Sequence, residues 1–430
     1  MRQPPSRVKT PRGGKTADWS RFALAEIFLA MKKLITRSVG AALLVVAALL
    51  ACALLPERYA VNAPMLNMMS GWFGADAPAK DLFGARIRVP RGFTAGVFAS
   101  KVPGVRFLRP LSGGGLLATT PREGKVWLLA PDRDGDGRSD SSRVLLEGLA
   151  RPHGLDLYEN WLYVAEDNGV GRVRIDARTG EITGRYERVV NGLPEGGNHW
   201  SRTVRFGPDG WMYVSVGSSC NVCIEPDQRR AAMLRFRPDG SDAQVFATGL
   251  RNSVGFDWQP GTGALYATDN GRDLLGDDFP PCELNLIRQG GFYGWPFANG
   301  DRVPDPDYGA KNPERVRESI PPAHPFGAHV APLGLVFLRG PALPAEWRGV
   351  ALAALHGSWN RTKKSGYKVV SLHWGNDGTI AERDFLVGFE ENEKVIGRPV
   401  DVAEASDGTI YVSDDFASSV YWVKFGAAAP

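Results

Sequence analysis

The chain has 430 residues, of which 43% are hydrophobic and 10% aromatic, and its formal net charge is only +4. Such a composition supports a large buried core and excludes a disordered chain. Much of the positive excess lies in the first 40 residues, so the body carries no basic stripe and no reader motif, which excludes nucleic acid as a partner.

In chain order, residues 1–30 are polar, basic and proline-containing, and are expected to be unstructured or to lie upstream of a true start at Met31. "MKKLITRSVGAALLVVAALLACALLPERYA" then sets a basic segment before an apolar run over 39–55, the layout of an export signal. Three outcomes stay open for residues 31–57: an uncleaved membrane anchor, a lipoprotein cleaved at Cys52, or ordinary cleavage. Each places the remainder outside the cytoplasm, in the periplasm or a similar compartment, and the anchor and lipoprotein forms tether it to the membrane. Residues 58–84 read as a linker, and 85–426 as the folded domain.

Within that domain one theme recurs: a glycine or "DG" turn, a short alternating strand, a small-residue loop and another strand. Copies begin at Gly113, His153, Arg202, Val254, Gly349 and Pro399, with related strands such as "WLYVAE", "WMYVSV", "ALYATD" and "TIYVSD". Six copies, mostly 45–60 residues apart and with almost no helical period between them, predict an all-β, six-bladed propeller rather than an array of sandwiches. The one long gap, 271–349, holds a proline-rich excursion expected to cross one face and help build a site there. In a propeller, loops from every blade meet at the channel mouth, so polar residues far apart in sequence can form one constellation.

Several residues sit at such loops. His153, His199, His329 and His356 each precede or follow a strand; singly, each is a structural hydrogen-bonder, but together they point to a site. No HxH or HxxxH pair suggests a metal centre. Arg251, Arg361 and Arg398 would, on one channel, attract an anion with several carboxylates, beside which His199 could act as a base. Among the cysteines, "CNVC" favours a local Cys220–Cys223 disulfide, with pairing of either to Cys282 left open. "DRDGDGRSD" spaces Asp132, Asp134, Asp136 and Asp140 like an EF-hand loop, although position twelve is Arg143. It reads as a second, weak Ca²⁺ site or as an acidic turn.

"LPEGGNHWSRTVRFGPDGWMYVSVG", "GLRNSVGFDW", "ELNLIRQGGFYGWP" and "GRPVDV…SDGTIYVSDD" resemble the soluble propeller-type quinoprotein sugar dehydrogenases, over roughly residues 85–425. "HGSWNR" and "CNVC" are most similar to the sorbosone-dehydrogenase-like branch. The resemblance implies oxidation of an aldose or related aldehyde sugar with pyrroloquinoline quinone (PQQ) and Ca²⁺, electrons passing to an external quinone or cytochrome. It makes His199 the base that takes the hydroxyl proton as hydride moves to the quinone. It places Arg251 near the quinone oxygens, Asn252, Arg361, Arg398, His329 and Cys223 around the cofactor, and the backbone carbonyls of Gly271 and Arg272 on the Ca²⁺. Val400, Ser218 and Cys223 stand where the glucose enzymes have an arginine, an aspartate and a glutamine. A non-catalytic binding propeller and a lactonase-type hydrolase are the alternative readings; the hydrolase would need acidic metal ligands at the channel mouth.

Overall fold

A computed structural model describes residues 80–426, together with residues 39, 40, 43, 44, 46 and 47, which are helical. Most of the expected export segment, Met31 and Cys52 included, lies outside the described residues. Among the described residues no helix is long and apolar enough to cross a membrane.

Six four-stranded antiparallel sheets form the blades of a propeller. Blade 1 comprises Leu108–Pro110, Leu116–Thr120, Lys125–Leu129 and Ser142–Leu146. Blade 2 comprises Leu155–Tyr158, Trp161–Glu166, Gly169–Ile175 and Ile182–Asn191, and blade 3 Arg202–Phe206, Met212–Val216, Ala232–Phe236 and Gln244–Thr248. Blade 4 takes Ser253–Trp258, Leu265–Asp269, Pro281–Ile287 and His324–Ala328; blade 5 takes Pro332–Phe337, Ala351–Leu355, Lys368–Trp374 and Ile380–Leu386. Blade 6 begins with Pro399–Glu404, Ile410–Asp414 and Ser419–Phe425. Its outer strand is Phe93–Ala99, which pairs antiparallel with Ser419–Phe425 and so joins the two ends of the domain. This closure ties the ends of the domain into the ring and leaves only the outer strand of each blade as an edge. Each repeat read from the sequence corresponds to one blade.

The first strands of neighbouring blades pack on one another around the axis. Six apolar clusters fill the wedges between successive blades, one of them joining Val336 and Leu352 of blade 5 to Val402 and Tyr421 of blade 6. Each fully buried Val, Leu or Phe there is worth ~1.5–3 kcal/mol relative to exposure. A seventh cluster, of Phe107, Val254, Leu333 and Val400, lies among the inner strands and plugs the channel. Val400 is fully buried in that plug. This gives a physical reason for an apolar residue at a place where the resemblance leads one to expect an arginine, since an unpaired guanidinium there would be costly.

All six inner strands run the same way, so each begins at one end of the channel, the front, and finishes at the rear. Antiparallel pairing returns every second strand to the front, where its loop to the third strand lies. The 58–84 linker expected from sequence ends in a helix, Lys80–Arg86, whose Phe83 stacks on Tyr421 with ring centroids 5.1 Å apart. The excursion of blade 4 contains the short helix Pro313–Glu318 and reaches forward to the site: Trp295 Nε1 donates to Asn221 O (3.3 Å), and Asp305 takes two bonds from Arg272.

Candidate active site

Each blade contributes to the front mouth a polar residue just before its inner strand: Arg106, His153, His199, Arg251 with Asn252, His329 and Arg398. The loops after the second strands add Asp167, Ser218, Asn221, Asp273, His356 and Asp415. Front ends of the inner strands in blades 4, 5 and 6 are irregular, with register shifts between Ser253 and Phe256, Pro332 and Leu335, and Pro399 and Val402. Such bulges turn side chains out of the regular ladder.

His199 is half-buried. Its Nδ1 lies 3.0 Å from the Ser218 carbonyl and 2.8 Å from Ser218 Oγ. A carbonyl oxygen only accepts, so Nδ1 carries the hydrogen of the neutral ring and Nε2 keeps its lone pair. Nε2 has no hydrogen-bond partner among the described residues. Burial, then the positive charge of Arg251, holds the imidazole well below its ordinary pKa, so it is a neutral base at pH 7. Arg202, itself fully buried, fixes the loop by donating to the carbonyls of His199 (2.8 Å) and Pro194 (2.5 Å). Gly217 permits the close approach: a Cβ there would lie 2.5 Å from His199 Cβ and 2.9 Å from Asn252 Oδ1. Asn252 Oδ1 is buried without a partner.

Arg251 is 5% exposed, and all its N–H groups face protein oxygens. Nε donates to Asn221 O (2.9 Å), Nη1 to Asn270 O and Gly271 O (3.2 and 2.9 Å), Nη2 to Asn221 Oδ1 and Asp273 Oδ2 (2.8 and 3.1 Å). Its effect at the mouth is therefore through charge. Cys220 and Cys223 form the favoured disulfide and Cys282 is a buried free thiol. The disulfide closes the loop that carries Asn221. Cys223, expected to touch the cofactor, thus has its sulfur joined to Cys220 and acts on the loop that clamps Arg251.

Across the mouth a second cluster forms. Asp415 accepts from Arg106 Nη1 (2.7 Å) and His356 Nε2 (2.9 Å). Burial opposes charge on Asp415, yet His356, Arg106 and Arg398 hold its pKa far below the usual carboxylate range. His356 is pushed down to about 4 by burial and then by Arg398. Arg398, 6% exposed, donates Nε to His356 O (3.1 Å) and Nη2 to Gly357 O (3.0 Å), while Nη1 makes no hydrogen bond among the described residues. Trp200 lies under Arg151, whose guanidinium carbon sits 4.1 Å from the ring centre.

The other residues expected from sequence fall as follows. Arg361 is at the front but on the blade 4–blade 5 side, donating to Asp277 O (2.5 Å) and pairing with Asp278 (2.9 Å). His329 donates Nε2 to Gly276 O (2.7 Å) and has Nδ1 3.7 Å from Asp273, so it braces the 270–280 loop. The Gly271 carbonyl accepts from Arg251, and the Arg272 side chain is anchored on Asp305 and Asp307. His153 is fully buried, with Nδ1 3.3 Å from Arg202 O, a structural role. The Asp132–Asp140 loop joins the third and fourth strands of blade 1 and so lies at the rear. Asp132, Asp134 and Asp136 cluster there, but they accept the amides of Gly135, Gly137, Asp136 and Arg138, while Asp140 takes that of Arg133. Arg106, Arg202, Asn221, Asp273 and Asp415 carry no motif in the sequence; the acidic end of the last repeated strand, at Asp414, was the available signal for Asp415 alone.

Comparison with known proteins bears out the family resemblance of the chain. The glucose/sorbosone dehydrogenase family matches residues 159–421. An uncharacterized protein of Borreliella burgdorferi is 32% identical over 296 residues, covering 66% of this chain and 78% of its own length. A pyrroloquinoline quinone-dependent pyranose dehydrogenase of Coprinopsis cinerea is 23% identical, over 68% of this chain, and the chain spans about half (48%) of that enzyme's length. The PQQ domain of a Coprinopsis cinerea pyranose dehydrogenase, solved in its holo form, shares the fold with a TM-score of 0.68 at 22% identity, covering 82% of this chain and 98% of that one.

Proposed function

The chain belongs to the glucose/sorbosone dehydrogenase family, and on that premise we propose that its front mouth oxidises an aldose or related aldehyde sugar, sorbosone-like in type, with PQQ and Ca²⁺. The observation that carries this reading is His199: a neutral imidazole with Nδ1 anchored on Ser218 and Nε2 free at the channel mouth.

The residues present fit an anionic, oxygen-rich quinone. Arg398 keeps Nη1 for a carboxylate, Arg251 and Arg106 add positive charge, and the orphaned Asn252 Oδ1 beside His199 awaits a donor. Carbonyls of Gly271 and Arg272 are of the hard-oxygen type that Ca²⁺ prefers. When bound, PQQ supplies the two-electron, hydride-accepting centre. His199 Nε2 takes the sugar hydroxyl proton, and the Ser218 contacts keep the ring in the tautomer that allows it. Burial, and then the charge of Arg251, keeps that ring unprotonated at neutral pH. The plug of Phe107, Val254, Leu333 and Val400 closes the floor against water from the rear.

An external quinone or cytochrome would take the electrons, and an extracytoplasmic, membrane-tethered setting is supported by the apolar run over 39–55 and by the Cys220–Cys223 disulfide. The hydrolase reading is disfavoured. Of the two groups of three potential metal-ligating side chains among the described residues, one is Cys220, Cys223 and Glu225, with its sulfurs in a disulfide; the other is the rear Asp132 loop. The test is dye reduction by purified protein with PQQ, Ca²⁺ and a panel of aldoses and osones. Turnover dependent on PQQ is expected; activity without PQQ, or none with any sugar, refutes the reading.

A further inference from the structure

Behind the apolar plug, the rear ends of all six inner strands enclose a cavity of about 510 Å³. Most of its charged side chains are held by protein partners, two carboxylates by arginines and one by backbone amides. Arg109 Nη2 lies 2.9 Å from Asp156, which also accepts the amide of Phe206. Arg339 donates both terminal nitrogens to Asp257 (2.8 and 2.9 Å), which also accepts the amide of Phe337. Glu404 takes the amides of Arg339 and Gly340.

Arg205 is the exception. It lines the cavity and is only 8% exposed, yet no hydrogen bond or ion pair joins its guanidinium to any described residue, and its Nε is buried without a partner. Asp401 acts on it only through space; that carboxylate is fully buried, outside the lining, with Oδ2 accepting the amide of Leu108. A desolvated guanidinium with open donors is costly unless something accepts them. Its fork matches the two oxygens of a carboxylate or phosphate. We propose that the rear cavity binds a small oxyanion, a carboxylate or a phosphate, on Arg205, at a site separated by the plug from the front mouth. Phe206 and Trp258 in the wall give an organic anion apolar surface to lie against.

Calorimetric titration of the full chain with citrate and with inorganic phosphate, at ionic strength held constant with sodium chloride, tests this. The expected result is saturable binding of at least one of the two, weakened tenfold or more in Arg205→Gln and severalfold in Arg205→Lys. The better of the two titrants identifies the chemistry. Dye reduction should stay within twofold of the parent in both variants, since Arg205 is remote from the front mouth. Anions that bind at the front would titrate alike in parent and variants, so their binding is distinguishable. Absence of saturable binding to the parent, or binding unchanged in either Arg205 variant, would overturn the proposal.

Discussion

At the rear mouth, Asp156 accepts Arg109 of the preceding blade and the Phe206 amide of the next, and Asp257 accepts Arg339 and the Phe337 amide of the next, which ties neighbouring inner strands together. At the front mouth, the comparable polar groups are offset by bulges, and His199 leaves one nitrogen open while Ser218 holds the other. Both ends use arginines and carboxylates on the same six strands. What differs is which side chains are left with open donors or acceptors. At the rear, Asp156 and Asp257 each hold an arginine and Glu404 takes backbone amides, while Arg205 has no partner and Arg109 keeps an unpaired Nε; at the front, His199 Nε2, Asn252 Oδ1 and Arg398 Nη1 make no hydrogen bond among the described residues.

The largest effect should come from removing the open base. His199→Asn is expected to lower kcat/KM for the preferred sugar by about 10²–10⁴-fold with an unchanged melting temperature, read by dye reduction and thermal denaturation. Next, Phe107→Ala should destabilise the protein by ~3–5 kcal/mol, because Phe107 is fully buried in the plug that divides the two mouths; urea unfolding measures it. At the rear, Asp257→Asn leaves Arg339 without its carboxylate and should cost ~1.5–3 kcal/mol in the same assay, with kcat unaffected. Ser218→Ala removes one of two contacts to Nδ1 and should reduce kcat by a factor of about 2–10, a hydrogen bond's worth. The smallest effect is in the pH profile. His199 is depressed, so kcat/KM should be flat through pH 7 and fall only well below the ordinary imidazole pKa of 6.5, as the base becomes protonated. Ser218→Asp should move that acid limb upward, since a carboxylate favours the imidazolium.

The blades were legible because the turn-strand-turn theme is local and repeats: every copy from Gly113 to Pro399 is a sheet. The outer strand of blade 6 was not attributed, since Phe93–Ala99 pairs with residues more than 300 positions away. His199, Arg251, Asn252 and Arg398 could be placed at one mouth because each immediately precedes an inner strand. Contact partners were another matter. Nothing in the sequence around His329 announces its bond to Gly276, and the disulfide of Cys223 was one of the pairings the sequence left open. The acidic run at Asp132 has calcium-like spacing and its first three carboxylates do cluster at the rear, but the amides they accept could not be read from spacing. Arg106 and Asp415 are 309 positions apart, and only the closed ring brings them within 2.7 Å.

The most direct test of the front-mouth assignment is an equilibrium titration of the purified protein with PQQ in Ca²⁺, followed by absorbance, in the parent and in Arg398→Gln. The account predicts a saturable spectral change with the parent and binding weakened at least tenfold in the variant. No spectral change with the parent, or equal affinity in Arg398→Gln, would contradict it.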